Sequence, residues 1–220
     1  GGDEYPPQAI AWGRLTMQGV NTALRFLCLQ GAVMAATVIA SRMGEGVLAA
    51  NHVVTLVWMA ACPFIDGVSL VAAPWASHNL AERRHASLRA CFTALAVVGL
   101  LAGCVMSCAV YVFRDEVIMF LLGPTVGADP AVRAPLDATW LLLSVMQVAN
   151  AVTFTYDSIL LASSQYDYSR NHLLLGAVIV LAPSMYVGGV SLGSLVGLWG
   201  AVAAYTGWRC ACSVGRVHLT

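Results

Sequence analysis

The sequence predicts an all-α polytopic membrane protein, a bundle of six transmembrane helices. Three observations carry that reading. Only 10% of the 220 residues are charged, against 59% hydrophobic, and the mean hydropathy is +0.77. A soluble domain carries about 25% charged residues and could not hide this much apolar surface. The apolar residues gather into runs of about 20, the length that spans a bilayer as a helix. Alternating strand patterns are missing, which disfavours a membrane barrel.

The segments follow in order. GGDEYPPQ opens the chain as a loop, not a signal peptide, and residues 1–20 read as a loop or linker; a fragment or processed product is expected. The first span is expected from Asn21 to Ser41, with Gly44 and Gly46 marking a turn. The second runs from Val47 to Trp75, and Pro63 within it removes a backbone donor and favours a kink. After the polar stretch SHNLAERRHASLR, the third runs from Cys91 to Phe113. VIMFLLG in the next connection reads as a short helix at the membrane surface. The fourth span is Leu136 to Ala162, the fifth His172 to Val187 and the sixth Leu195 to Val214. The membrane lobe thus covers 21–214, and 215–220 form a tail.

All eleven cations are arginines, and they balance eleven acids, so no basic nucleic-acid surface exists. Arg14, Arg83, Arg84, Arg89, Arg170, Arg209 and Arg216 fall toward one side of the predicted topology. Arg42, Arg114 and Arg133 fall toward the other, which places the N-terminus in the cytoplasm by the positive-inside rule. The seven cysteines include no CxxC and lie mostly in apolar runs, so they read as small packing residues. Gly189, Gly193 and Gly197 are spaced by four; they allow either close helix approach or only a turn.

Charge inside a bilayer costs about 2.5–3.5 kcal/mol on insertion scales, so intramembrane acids mark candidate sites. Asp66 in FIDGVSL and Asp157 in FTYDSILLAS are the two. Neither has an arginine within a helical turn, so a partner must come from another helix. Each is either a proton- or cation-coupling residue or a structural acid; Gly67 beside Asp66 favours the structural role there. Arg25 either pairs with one of these acids or reaches the interface. Gln30, Asn51, Gln147 and Asn150 add polar groups. Gln147 and Asn150 share a helical face with Asp157, either as a cavity wall or as an interhelical hydrogen-bond line. No HExxH, GxSxG, Walker A or dinucleotide fingerprint occurs, and no catalytic or metal constellation is found. An enzyme is therefore not predicted.

Three stretches resemble the multidrug and toxic compound extrusion (MATE) family, in particular its DinF-like branch. LRFLCLQGAVMAATVIASRMGEGVLAANHVVTLVWMAACPFIDGVSLVAAPW is similar to the first two helices of that family's C-terminal half. The matching features are Arg25, Gly44, Ala49-Ala50-Asn51-His52 and Ile65-Asp66-Gly67. DPAVRAPLDATWLLLSVMQVANAVTFTYDSILLASSQYDYSRN is similar to the tenth helix, with Asp157 at the family's aspartate and Ser158 in place of glycine. LVGLWGAVAAYTGWRCACSVGRV is similar to the last helix. The resemblance implies the C-terminal six-helix lobe of a secondary antiporter with no cofactor, exchanging H+ or Na+ for small organic ions, drugs or metabolites. It implies an N-terminal lobe as partner, lipid as solvent, and a plasma-membrane or plastid and organellar envelope location. Some branches place a glutamate near Leu29-Gln30, and none is present here, so no acidic pair forms with Asp157. The alternative reading is a non-transporting accessory subunit of a larger membrane complex.

Overall fold

The computed structural model describes residues 12–81 and 85–219. Among them there is no strand; nearly every residue is helical. The order is α1 (Trp12–Ser41), α2 (Glu45–Ala81), α3 (His85–Val112), α4 (Arg114–Gly127) and α5 (Pro130–Ala162). Then come α6 (Tyr166–Gly176), a π turn (Ala177–Leu181), α7 (Ala182–Met185), a second π turn (Tyr186–Ser191) and α8 (Leu195–Leu219).

Among the described residues, five helical stretches are long and apolar enough to cross a membrane: Thr16–Ser41, Glu45–Gly67, Phe92–Val112, Pro130–Ala162 and Tyr166–Ser191. Six were expected. The sixth, α8, has the length, 25 residues, but not the apolarity, because it carries Tyr205, Thr206, Arg209 and Ser213 into the bundle interior. The molecule is an integral membrane bundle with one polar internal helix. Helix ends also differ from expectation. The first helix begins at Trp12 rather than Asn21, α2 runs on to Ala81 rather than ending at Trp75, and α8 continues through the supposed tail. Most of SHNLAERRHASLR is helical, split between the end of α2 and the start of α3; Arg83 and Arg84 lie outside the described residues.

The central element is α5, which touches α2, α3, α4, α6 and α8. It starts where Asp129 accepts a hydrogen bond from the Ala131 amide at 2.9 Å and Pro130 occupies the first helical position. A helix this rich in hydroxyls survives in an interior without water because it uses them on itself. Thr139, Ser144, Thr153, Thr155, Ser158 and Ser163 each donate to the carbonyl four residues back. Around it pack Val54, Leu198, Trp199 and Tyr205. Trp140 donates its indole N–H to the Val110 carbonyl at 2.8 Å and pins the end of α3.

The segment Tyr166–Ser191 is one continuous span with two π turns flanking Pro183. Proline has no N–H to give, and the wider turns absorb the lost bond. Beyond it, the glycine reading divides. Gly193 has φ +58° and makes the turn into α8, whereas Gly189 packs on Ile39 and Leu198. Gly197 meets the backbone of Gly188, a contact the four-residue spacing did not indicate.

Charges sort to two ends. At one, Asn21 donates to Asp167 at 3.0 Å and accepts from Arg170 at 2.7 Å, and Arg216 donates to Gln165 at 2.8 Å. At the other, Arg133 bridges Asp115 and Asp137, and Arg114 also holds Asp137. That network ties α4, which bends at Gly123-Pro124, onto α5.

Two outcomes are expected. Gly197→Val puts a Cβ 2.6 Å from the Gly188 carbonyl oxygen; thermal unfolding in detergent should show a loss of about 1–3 kcal/mol, and an unchanged melting temperature would refute the contact. The hydrogen bond from Arg133 holds the exposed Asp115 carboxyl below its ordinary value. Its stabilising effect is therefore present above that ordinary value, and is lost as pH falls through the lower folded one. Hydrogen exchange of α4 should quicken in that acid window, and Asp115→Asn should show the fast rate already at pH 7.

Candidate functional site

Asp157 sits on α5 with 3% of its surface exposed. Its two oxygens have separate duties. Oδ2 accepts from Arg209 Nη2 at 2.8 Å and from Arg25 Nη2 at 3.1 Å. Oδ1 accepts from the Ser213 hydroxyl at 2.8 Å. Arg209 and Ser213 lie four residues apart on α8, hence on one face of it. Arg25 comes from α1. One carboxylate thus joins three helices, with partners 132, 52 and 56 residues away in the chain.

Both guanidiniums come from other helices, and the charge of Asp157 is met twice. Two guanidiniums face one carboxylate, so the cluster carries one positive charge in excess. Charge-assisted bonds of this kind are roughly twice as strong as neutral ones, which offsets part of the cost of burying three charges. Phe154 adds a ring face 5.8 Å from the Arg209 guanidinium carbon.

Beside the cluster lies a cavity of about 380 Å³. Arg25, Phe26, Leu29 and Gln30 of α1, Trp58, Met59, Cys62, Pro63 and Asp66 of α2, Phe154, Asp157, Ser158 and Leu161 of α5, and Arg209 of α8 line it. Its wall is mainly apolar and aromatic with a few convergent charges, the usual make-up of a small-molecule site. Asp66 is exposed on this wall and makes no ion pair among the described residues. Counting Asp66, the four charges of the cavity balance.

The sequence-derived residues divide accordingly. Asp157, Asp66, Arg25 and Gln30 come together around the cavity. Asn51, Gln147 and Asn150, expected as possible cavity lining, do not line it. Asn51 is fully buried and tethers helices instead, donating to Thr37 at 3.3 Å and accepting from the Trp199 indole at 3.0 Å. Gln147 donates to the Leu143 carbonyl at 3.0 Å, and Asn150 is 1% exposed. Both side chains are buried, and Gln147 Oε1 and the two amide atoms of Asn150 have no hydrogen-bond partner among the described residues. Arg209 is the residue that sequence reasoning misplaced, as an arginine near the membrane surface. It is 2% exposed. The signal was available: Tyr205, Thr206, Arg209 and Ser213 recur on one helical face, a polar stripe that must turn inward in lipid. Among the described residues no group of His, Cys, Asp and Glu is arranged to hold a metal ion.

With this geometry in hand, the chain is similar to Protein DETOXIFICATION 43 of Arabidopsis thaliana, 22% identical over 208 residues. The match takes in 94% of this chain and 38% of that protein. The chain therefore spans well under half the length of this relative. No family model and no solved structure matches.

If Asp157 is the joint between helices, its loss leaves two buried arginines unanswered. Asp157→Asn and Arg209→Gln should each destabilise the purified chain by about 3–5 kcal/mol. The double variant should fall short of the sum of the singles by about 0.5–3 kcal/mol, the signature of direct coupling. Additive losses in thermal unfolding would separate the two residues.

Proposed function

We propose that this chain is a lobe of a secondary transporter of the MATE type, of its DinF-like branch, exchanging a small organic ion for H+ or Na+. The observation that carries the reading is the cavity whose wall contains a buried, doubly paired aspartate. A charged group buried within a membrane bundle is costly and is retained where ions pass. The similarity to Protein DETOXIFICATION 43 and the resemblance of the Arg25–Trp75, Asp129–Asn171 and Leu195–Val217 stretches to the C-terminal half of the family support it.

The physical scheme is competition. Arg25 is on α1, while Asp157 and Arg209 are on α5 and α8. A rearrangement that draws α1 away leaves Oδ2 with one cation instead of two. A coupling ion or a charged substrate then has a place to bind, and its release restores the pair. A second six-helix lobe supplies the opposite wall of the cavity and the second side of an alternating-access cycle. The protein resides in the plasma membrane or a plastid or other organellar envelope.

The test uses the full natural polypeptide that carries this sequence, reconstituted in proteoliposomes with an imposed pH or sodium gradient. The probes are ethidium (a cation) and p-aminohippurate (an anion). Gradient-dependent flux of one probe is expected, reduced at least tenfold by Asp157→Asn and unchanged by Glu116→Gln on the exposed start of α4. Asp137 is unsuitable as the neutral control, because it bridges Arg114 and Arg133. Gradient-independent behaviour with both probes, or full exchange by Asp157→Asn, would count against this function.

A further inference from the structure

His172 is used by nothing described so far. It sits on α6, 5% exposed. Its Nδ1 lies 2.9 Å from the Tyr168 carbonyl oxygen. A carbonyl can only accept, so Nδ1 carries the hydrogen. In the neutral ring Nε2 is then a bare lone pair. That atom is buried and has no partner among the described residues. Buried polar atoms are almost always satisfied, so an unmet acceptor here asks for a proton or a donor.

The position is built rather than incidental. The Trp208 indole donates to the His172 carbonyl at 3.0 Å, and the Tyr205 hydroxyl donates to the next carbonyl, of Leu173, at 3.1 Å. The Tyr168 ring lies 5.2 Å from the imidazole, centroid to centroid. Its helix packs against α1, α5 and α8, the helices that carry Arg25, Asp157 and Arg209. The π turn that follows α6, Ala177–Leu181, carries no titratable side chain. Tyr168 is the titratable neighbour on the same helix.

We propose that His172 is the proton-binding residue of this site, and that its protonation displaces Arg25 from Asp157. The step is simple: a proton from water attaches to the Nε2 lone pair, Nδ1–H keeps its bond to Tyr168, and the ring gains one positive charge. The cluster already holds one cation more than Asp157 can answer. A further charge in this water-poor interior is relieved by expelling the weaker cation. That cation is Arg25, whose contact is 3.1 Å with a side chain 13% exposed, against 2.8 Å and 2% for Arg209. The two events are linked, so moving Arg25 away must favour the proton by the same factor. Histidine suits the role because it alone among unperturbed side chains changes charge between pH 5 and 8. This inference rests on the transport reading for its purpose, but not for its measurement.

The measurement is proton uptake by the purified chain between pH 8 and pH 5, followed with an indicator dye in unbuffered detergent. Wild type, His172→Gln, Arg25→Gln and the double variant are compared. Arg25→Gln should take up about one proton per chain more than the double variant. In wild type, His172→Gln should remove uptake from the lower part of the same range. The remaining histidines cancel in each difference. A companion chain keeps His172 and replaces the other four histidines; nitrogen-15 spectra of its ring should show an Nδ1–H neutral form giving way to imidazolium on acidification. Equal uptake within every pair that folds, or a ring that stays neutral down to pH 5 in the companion chain carrying Arg25→Gln, overturns the proposal. Because no substrate is involved, a failure of flux in proteoliposomes leaves this result standing, and the reverse also holds.

Discussion

The bond set around Asp157 fixes the arrangement of this bundle. In lipid, helices gain little from burying apolar surface against one another, since acyl chains are as apolar as leucine. Shape and polar contacts must then choose the neighbours. Asp157 supplies a choice that cannot be met by another register: its Oδ2 needs Arg209 and Arg25, and its Oδ1 needs Ser213. Slide α8 by one residue and the Arg209–Ser213 face turns away. Shift α1 by a turn and Arg25 leaves the carboxylate. Three helices are thereby held at one depth, and the cavity beside them inherits its charged wall.

The same constraint explains the composition of α5 and α8. A helix in the middle of a bundle has little water with which to satisfy polar side chains, so partners inside are favoured. In α5 the short hydroxyls and the Gln147 amide nitrogen return to their own backbone, while both amide atoms of the buried Asn150 have no hydrogen-bond partner among the described residues. In α8 the polar stripe is directed at α5 and α6, through Arg209, Ser213, Tyr205 and Trp208. That is why α5, the most buried of the five apolar spans, has the lowest mean hydropathy among them.

Much of the fold was legible because length and hydropathy dictate it. The apolar runs gave the helices, and Gly44, at φ +114°, fell in the turn between the first two. Ends were less legible, since polar residues at Trp12–Asn21 and around Arg89 continue a helix past the apolar run without altering hydropathy. At the site, Asp157, Asp66 and Arg25 stood out because charge in an apolar run is conspicuous. Arg209 did not, as its flanks are mixed and the chain ends soon after. The pairing of Arg25 with Asp157 was one of the alternatives that the sequence left open and could not be chosen from it: a separation of 132 residues leaves no local pattern, and only the packing of α1, α5 and α8 brings the two together. His172 was visible as a histidine, yet nothing in its neighbours in sequence announced a buried ring nitrogen without a hydrogen-bond partner among the described residues.

The π turns on either side of Pro183 have a consequence for angular phase. A regular helix advances about 100° per residue, and a π turn takes in one residue more than a regular turn. Each such turn therefore resets the phase of everything after it by about one residue's rotation. Gly188 and Gly189 lie beyond the first of these resets and within the second. The glycine surface that meets Gly197 and Leu198 is consequently out of step with the face that His172 and Leu173 set at the other end of the same span. One helix serves two azimuths, the Tyr205 and Trp208 side chains of α8 at one depth and the Gly197 backbone at another, with no break between Tyr166 and Ser191.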